Sequence, residues 1–240
     1  MHPNQVEGIV ATAYHPARVK ISSRTVFRLT VALGALLCAR GFALPNVHTV
    51  AQGVDAHYNR LHSLEADFIE IYQGSGIERS ESGTLWLKKP GKMRWEYRSP
   101  EEKLFVTDGD RAWLYLPSEK QARKSSLRKM DDLRSPLAFL LGKTKLEKEL
   151  LHLSFAPDVE PSRPENWMLR GVARGMADRT RQVLVEVTPQ YRIARILIDS
   201  TDDSITEYRF SNQKEDVPVL DSKFRFSAPA GSEVIDDETE

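Results

Sequence analysis

GTLWLKKPGKMRWEYRSPEEKLFVTDGDRAWLYLP, residues 83–117, is the stretch from which the fold can be read. Within it Met93, Trp95 and Tyr97 alternate with Lys92, Arg94, Glu96 and Arg98. Successive side chains of an extended chain point to opposite faces, so the alternation describes a strand with one apolar face and one charged, wet face. Helical winding would mix the two sets. Lys89-Pro90-Gly91-Lys92 puts Pro where a fixed φ fits and Gly where φ must be positive, which is the pattern of a type II turn. Asp108-Gly109, between the runs LFVT and RAWLYL, marks a hairpin. The stretch predicts consecutive antiparallel strands, a pattern that periodicity alone also allows in an ordinary β-sandwich.

Working outward, short strand-like runs recur at residues 64–73, 81–89, 92–98, 103–107, 111–116 and 121–125. Turn residues separate them: Ser75-Gly76 after the first and Ser99-Pro100 after the third. A second series follows at residues 150–155, 166–172, 181–188, 191–199, 204–210 and 223–227, after a loop containing Pro157, Pro161 and Pro164. Even spacing of this kind suggests an antiparallel meander of eleven or twelve strands. Phe224 and Phe226, alternating with Lys223 and Arg225, repeat the one-sided pattern of residues 93–97. The tail 233–240 is acidic and reads as a frayed end.

Two helices interrupt the strands. Residues 46–61 carry Val47, Val50, Val54, Tyr58 and Leu61 at steps of three and four, one apolar stripe, with Asn46 as cap and Gly53 as a weak point. Residues 135–142, SPLAFLLG, have a capping Ser, Pro at the first helical position and Gly past the end. Leu137, Phe139, Leu140 and Leu141 occupy nearly the whole circumference of this short helix, so something must cover it. A helical turn or two is expected again over residues 143–150. A twisted sheet of this many strands tends to curl, and its concave apolar face must then be filled or capped. These two helices are the available caps, and any concavity left unfilled can hold an apolar ligand.

Composition narrows the setting. Lys plus Arg and Asp plus Glu both total 34, so no overall field points to nucleic acid. Residues 1–28 hold Arg18, Lys20, Arg24 and Arg28 against one acid, Glu7, and LTVALGALLCA follows at residues 29–39. Eleven apolar residues are too few to span a bilayer, where about 20 are needed. With Gly41-Phe42-Ala43 next, the layout is that of a cleavable secretory signal over residues 1–43, cut near Ala43, ahead of one domain at residues 44–240. The exported part would carry a net charge of −4 and no cysteine, since Cys38 lies in the apolar run. Its four histidines lack zinc-site spacing, and there is no GxSxG, P-loop or GxGxxG motif. Neither metal nor cofactor nor catalytic residues are therefore expected, and the chain reads as a non-enzyme.

The residues GTLWLKKPGKMRWEY, then SPEEKLFVTDGDRAWLYLP, SPLAFLLGK and FRFSAPAGSEVID, resemble the periplasmic carriers of outer-membrane lipoproteins, the LolA family, from about residue 46 to 236. The resemblance implies a mainly β fold, an incomplete antiparallel β-barrel of about eleven strands with a helical lid over a hydrophobic cavity. It implies as partners triacylated lipoproteins, an inner-membrane ATP-driven release complex and an outer-membrane receptor, served in the periplasm by a monomer. It also assigns roles. Leu85, Leu87, Met93, Trp95 and Tyr97 would line the cavity, and Leu137, Phe139, Leu140 and Leu141 would form the lid. Lys89, before Pro90, stands where the family has an Arg that holds the lid through backbone hydrogen bonds; Lys keeps the charge and loses the planar fork. Met93 stands where family members often have Phe. A single-domain envelope sensor of the same half-barrel type and an exported hydrolase are the competing readings. A membrane-spanning barrel would need a wholly polar lumen for residues 92–98 and 223–225 and leaves no place for the helices.

Overall fold

A computed structural model describes residues 45–126 and 145–237. Residues 1–44, 127–144 and 238–240 lie outside the described residues, and with them the expected signal segment and the expected lid with Leu137, Phe139, Leu140 and Leu141.

The first helix forms as its apolar spacing predicts. Helix α1, Val47–Arg60, is capped by Asn46, whose side chain accepts the His48 N–H at 3.0 Å. Its stripe is buried, with Val50, Val54 and Tyr58 each at most 2 % exposed. Gly53 has a positive reason to be glycine. A methyl group there would lie 2.3 Å from ring carbons of Tyr191, so the missing side chain lets that ring rest on the helix.

Six strands then run as a meander: β1 Ser63–Gly74, β2 Ile77–Lys88, β3 Lys92–Ser99, β4 Lys103–Thr107, β5 Arg111–Leu116 and β6 Gln121–Ser126. Ser75 and Gly76, with φ of 50° and 76°, make the tight first turn, since only residues tolerating positive φ serve there. Lys88 pairs with Lys92, so the β2–β3 connection is a three-residue loop through a cis Lys89–Pro90 bond rather than a type II turn; Gly91 supplies the positive φ of 66°. At the β4–β5 turn the Asp108 carboxylate accepts from the backbone N–H groups of Asp110 and Arg111, and Gly109 has φ of 110°.

A short helix α2, Leu146–Glu149, precedes the second meander: β7 Leu150–Phe155, β8 Trp167–Ala173, β9 Thr180–Val187, β10 Ile193–Ser200 and β11 Ile205–Glu215. The two halves join where β11 pairs antiparallel with β1. With β12, Glu233–Asp236, the described residues form one open sheet of 12 strands, in the order β12-β6-β5-β4-β3-β2-β1-β11-β10-β9-β8-β7.

Two expectations fail at the C-terminal end. Residues 223–227 are not a strand. The chain makes a 3-10 turn at Asp221–Phe224 and then runs extended over the outer face, where Phe224 packs with Trp86 and Val106, and the Phe226 ring lies 5.4 Å from those of Trp113 and Tyr115. Alternation reports that one side of a segment is apolar; it does not say whether a neighbouring backbone is there to pair with. The acidic tail, conversely, is not frayed throughout. It forms β12, parallel to β6, because Glu233 N–H reaches the Lys120 carbonyl at 2.8 Å and the Asp236 carboxylate pairs with Lys124 at 2.7 Å.

Candidate functional site: the inner face of the sheet

Strand β3 and strand β11 are separated in the sheet by β2 and β1. In a flat sheet, three strand spacings would hold them about 14 Å apart. Yet the Trp95 ring of β3 lies 5.8 Å from that of Tyr208 and 6.3 Å from that of Phe210, both on β11. The sheet therefore curls, and these side chains meet on its concave side. One continuous apolar cluster covers that side, drawn from β1 to β5 and β7 to β11, with α1 laid over it through Val50, Val54 and Tyr58.

The five residues singled out as cavity lining all lie on this face. Leu85, Leu87, Met93 and Trp95 are buried in the cluster, and Tyr97 is half-buried against it. Trp95 meets the Phe68 ring edge-on at 4.6 Å and stacks on Tyr97 at 6.3 Å, while Phe68 meets Tyr97 at 4.8 Å. The sequence reading overlooked Phe68, Phe105, Tyr208 and Phe210 and the aliphatic second half, Val183, Val185, Val187, Ile193 and Ile196. Their alternation was visible in the strands. What could not be seen was that β11 closes against β1 and carries its alternate residues to the same side.

One end of the inner face is polar. Glu70 accepts from the Tyr97 hydroxyl at 2.7 Å, and its charge also acts on the Tyr208 hydroxyl. Glu81, 8 % exposed, holds Lys103 Nζ at 3.0 Å and Arg79 at 3.4 Å. Lys103 Nζ also sits 3.9 Å from the centre of the Tyr97 ring, a cation over an aromatic face. Burial and the Glu70 charge push the Tyr97 and Tyr208 hydroxyls far up, so both stay protonated donors.

At the opposite end Lys89 meets α1. Its ammonium donates to the carbonyls of Tyr58 at 2.7 Å and Asn59 at 2.8 Å, and its own N–H donates to the His62 carbonyl at 2.9 Å. The last carbonyls of a helix lack partners inside it and carry the negative end of its dipole, so a cation there serves as a clasp. Burial lowers the Lys89 pKa, partly offset by Asp216. The segment expected to be the lid is outside the described residues; the helix that Lys89 does hold is α1. Pro90 is exposed in the turn beside it.

Further fastenings surround this clasp. The Tyr58 hydroxyl accepts the Ile193 N–H at 3.0 Å, His57 Nε2 lies 3.2 Å from Glu215, and Arg192 donates to the same carboxylate at 2.6 Å. Farther back along α1, Asp55 accepts the Leu146 N–H at 2.8 Å, and in the first turn His48 contacts Glu147 at 2.6 Å. Burial holds the His57 imidazole below its ordinary value of 6.5, against the pull of Glu215. The unfolded chain therefore binds a proton at higher pH than the folded one, and stability falls as pH drops through 6.5 toward the folded value. Thermal unfolding followed between pH 7 and 5 should show this loss in the wild type and a flatter profile in His57→Asn.

Among known proteins, the family model described as outer membrane lipoprotein carrier protein LolA matches residues 59–227. The outer-membrane lipoprotein carrier protein of Chromobacterium violaceum is 28 % identical over 211 residues, covering 85 % of this chain and 95 % of that protein. The protein of the same description from Alkalilimnicola ehrlichii is 30 % identical over 186 residues, covering 75 % and 80 %. An uncharacterized conserved protein from Thermus thermophilus superposes with a TM-score of 0.51 over 79 % of this chain and 98 % of its own, at 13 % identity, a likeness of fold alone.

Proposed function

Since the chain belongs to the LolA family of outer membrane lipoprotein carrier proteins, we propose that it is a soluble, non-catalytic periplasmic carrier. It hides the acyl chains of a triacylated lipoprotein against the inner face of the sheet. It takes this cargo from an inner-membrane ATP-driven release complex and passes it to an outer-membrane receptor. The observation that carries the reading is a single apolar surface spanning both halves of a curled open sheet, covered by a helix whose end is fastened by polar bonds. Residues 1–43 direct export and are removed, in keeping with their basic stretch and short apolar run. Among the described residues no helix is long and apolar enough to cross a membrane.

The energetics suit a carrier. Each methylene withdrawn from water contributes ~0.8 kcal/mol, so roughly ten per chain give on the order of 8 kcal/mol before ordering costs, an upper bound. The described inner face is closed by its own side chains and α1, so admission of cargo requires α1 to swing away and delivery allows it to return. Hydrogen bonds made by Lys89 to two carbonyls favour the closed form, and they contribute only when α1 is seated. Leu85, Leu87, Met93, Trp95 and Tyr97 meet the chains, and Leu137, Phe139, Leu140 and Leu141 complete the cover.

This is tested by transfer of a radiolabelled lipoprotein from the carrier to the receptor. Lys89→Leu should load normally and deliver at least about tenfold less, the consequence of losing ~1.5 kcal/mol of charge-assisted hydrogen bonding in the closed form. Lys89→Arg should deliver as the wild type does. Full delivery by Lys89→Leu would remove Lys89 from the mechanism, and purified protein that never accepts acylated cargo would end the carrier reading.

A further inference from the structure

Among the described residues the indole Nε1 of Trp95 is buried without a hydrogen-bond partner, and Trp95 itself is only 2 % exposed. Indole N–H is a donor with no acceptor capacity, and buried donors are nearly always paired. Its surroundings are aromatic: Phe68 with its ring centre at 4.6 Å, Tyr208 at 5.8 Å, Tyr97 and Phe210 at 6.3 Å. The Tyr97 hydroxyl donates to Glu70, and the indole N–H has neither ring's hydroxyl as a partner. Since no described residue supplies the acceptor, a bound molecule can.

The position of Trp95 on β3 says what kind of molecule. On the same face it is flanked by Met93, beside Leu87 and the Lys89 end, and by Tyr97, beside the Glu70, Glu81 and Lys103 end. The face thus runs from hydrocarbon through one unpaired donor to a polar end. That order matches an acyl chain, its carbonyl and the group to which it is linked. A single N–H satisfies a neutral carbonyl, whereas a carboxylate stripped of water would need several donors. We propose that Trp95 Nε1 docks the carbonyl of an ester- or amide-linked acyl chain, with the chain toward Met93 and Leu87 and the linked group toward Glu70 and Lys103. The inference rests on the acyl-carrier reading and adds the point at which the ligand is fixed in depth.

The test uses the full chain with four probes of equal chain length: methyl palmitate, N-methylpalmitamide, palmitate and hexadecane. Their affinities are read by displacement of a polarity-sensitive naphthalene dye. In Trp95→Phe the ratio of ester to alkane affinity should fall about 2- to 10-fold, the net worth of one neutral hydrogen bond, while the alkane still binds. In the wild type, the indole ¹H–¹⁵N resonance absent from Trp95→Phe should move downfield with the ester or the amide and stay in place with the alkane. Whichever of ester and amide moves it further identifies the linkage, and palmitate should compete less well than either.

An unmoved resonance with bound ester, or equal movement with hexadecane, overturns the proposal, since the N–H then has another partner such as the Phe68 ring. Should Trp95→Phe fail to fold, single Trp→Phe variants at Trp86, Trp113 and Trp167 assign the resonance by elimination, and the wild-type shift decides alone. Binding of none of the four probes would instead overturn the acyl-carrier reading itself.

Discussion

Replacing Arg195 by Met should lower the thermal midpoint by about 10 °C, because removing one partner of a buried ion pair costs about 3–5 kcal/mol. The stranded partner is Glu186, a carboxylate with no exposed surface near the end of β9. Arg195 Nε donates to it at 2.8 Å, Asn166 Nδ2 at 2.7 Å and the Ser162 N–H at 2.8 Å, with the Ser162 hydroxyl close by. Burial pushes this carboxyl up, but the bonds from Ser162 and Asn166 and the Arg195 charge outweigh it, and the net direction is down. Glu186→Gln keeps the shape and an acceptor, and leaves Arg195 its contacts with Glu207 and the Glu160 carbonyl. It should therefore lose less, on the order of 1–2 kcal/mol. Equal losses in the two variants, measured by urea titration, would show that Glu186 is not charged in the folded protein. The pair matters to the site because Glu186 on the outer face sets which residues of β9, Val185 and Val187, face inward.

Gly83→Ala should cost about 2–4 kcal/mol, near the upper end for overpacking. Gly83 lies on the inner face of β2, opposite Tyr97 of β3. A methyl group there would fall 1.8 Å from the Glu96 carbonyl oxygen and 2.9 Å from the Tyr97 Cα. Backbone, unlike the tip of a side chain, can make way only by moving the strand. The β2–β3 register already slips between Ser82 and Gly83, so the strain should be relieved by parting the strands there. Tyr97 would then leave Glu70, and Trp95 would meet water, visible as a red shift of tryptophan emission together with the lowered midpoint. A variant as stable as the wild type, with unshifted emission, would contradict this account of the strand contact.

The two predictions separate what sequence can and cannot reveal. Strand runs such as residues 103–107 and 111–116 were legible to the residue, because period-two alternation between turn signals is a local property. The buried stripe of α1 and its Asn46 cap were legible for the same reason. Glu186 was not, since an acid within RQVLVEVT looks like any outward strand residue until Ser162, Asn166 and Arg195 are brought to it. Gly83 read as part of a strand and Gly53 as a weak point in a helix. Only the neighbours, the Glu96 carbonyl and the Tyr191 ring, explain why neither position tolerates a side chain.

For the site, parity grouped Met93, Trp95 and Tyr97 in one strand and Leu85 and Leu87 in another, the resemblance joined the two sets, and β2 and β3 carry all five to one face. Lys89 was recognised by resemblance, while its contact with the end of α1 came from the structure. The expected strand at residues 223–227 and the fraying expected at residues 233–236 failed together, because each depended on whether a backbone partner was within reach.

By itself, then, the amino-acid order determined which segments extend, which helix is amphipathic, and which residues share a side, since all of these follow from torsional preference and spacing along one chain. Tertiary structure alone decided that β11 pairs with β1, that the resulting sheet curls until Trp95 touches Tyr208, and that an indole N–H is left in that interior without an acceptor among the described residues. The physical reason is range: alternation acts over a few residues, whereas the β1–β11 pairing and the curl join groups more than a hundred positions apart, and buried polar atoms are satisfied from other elements of the chain.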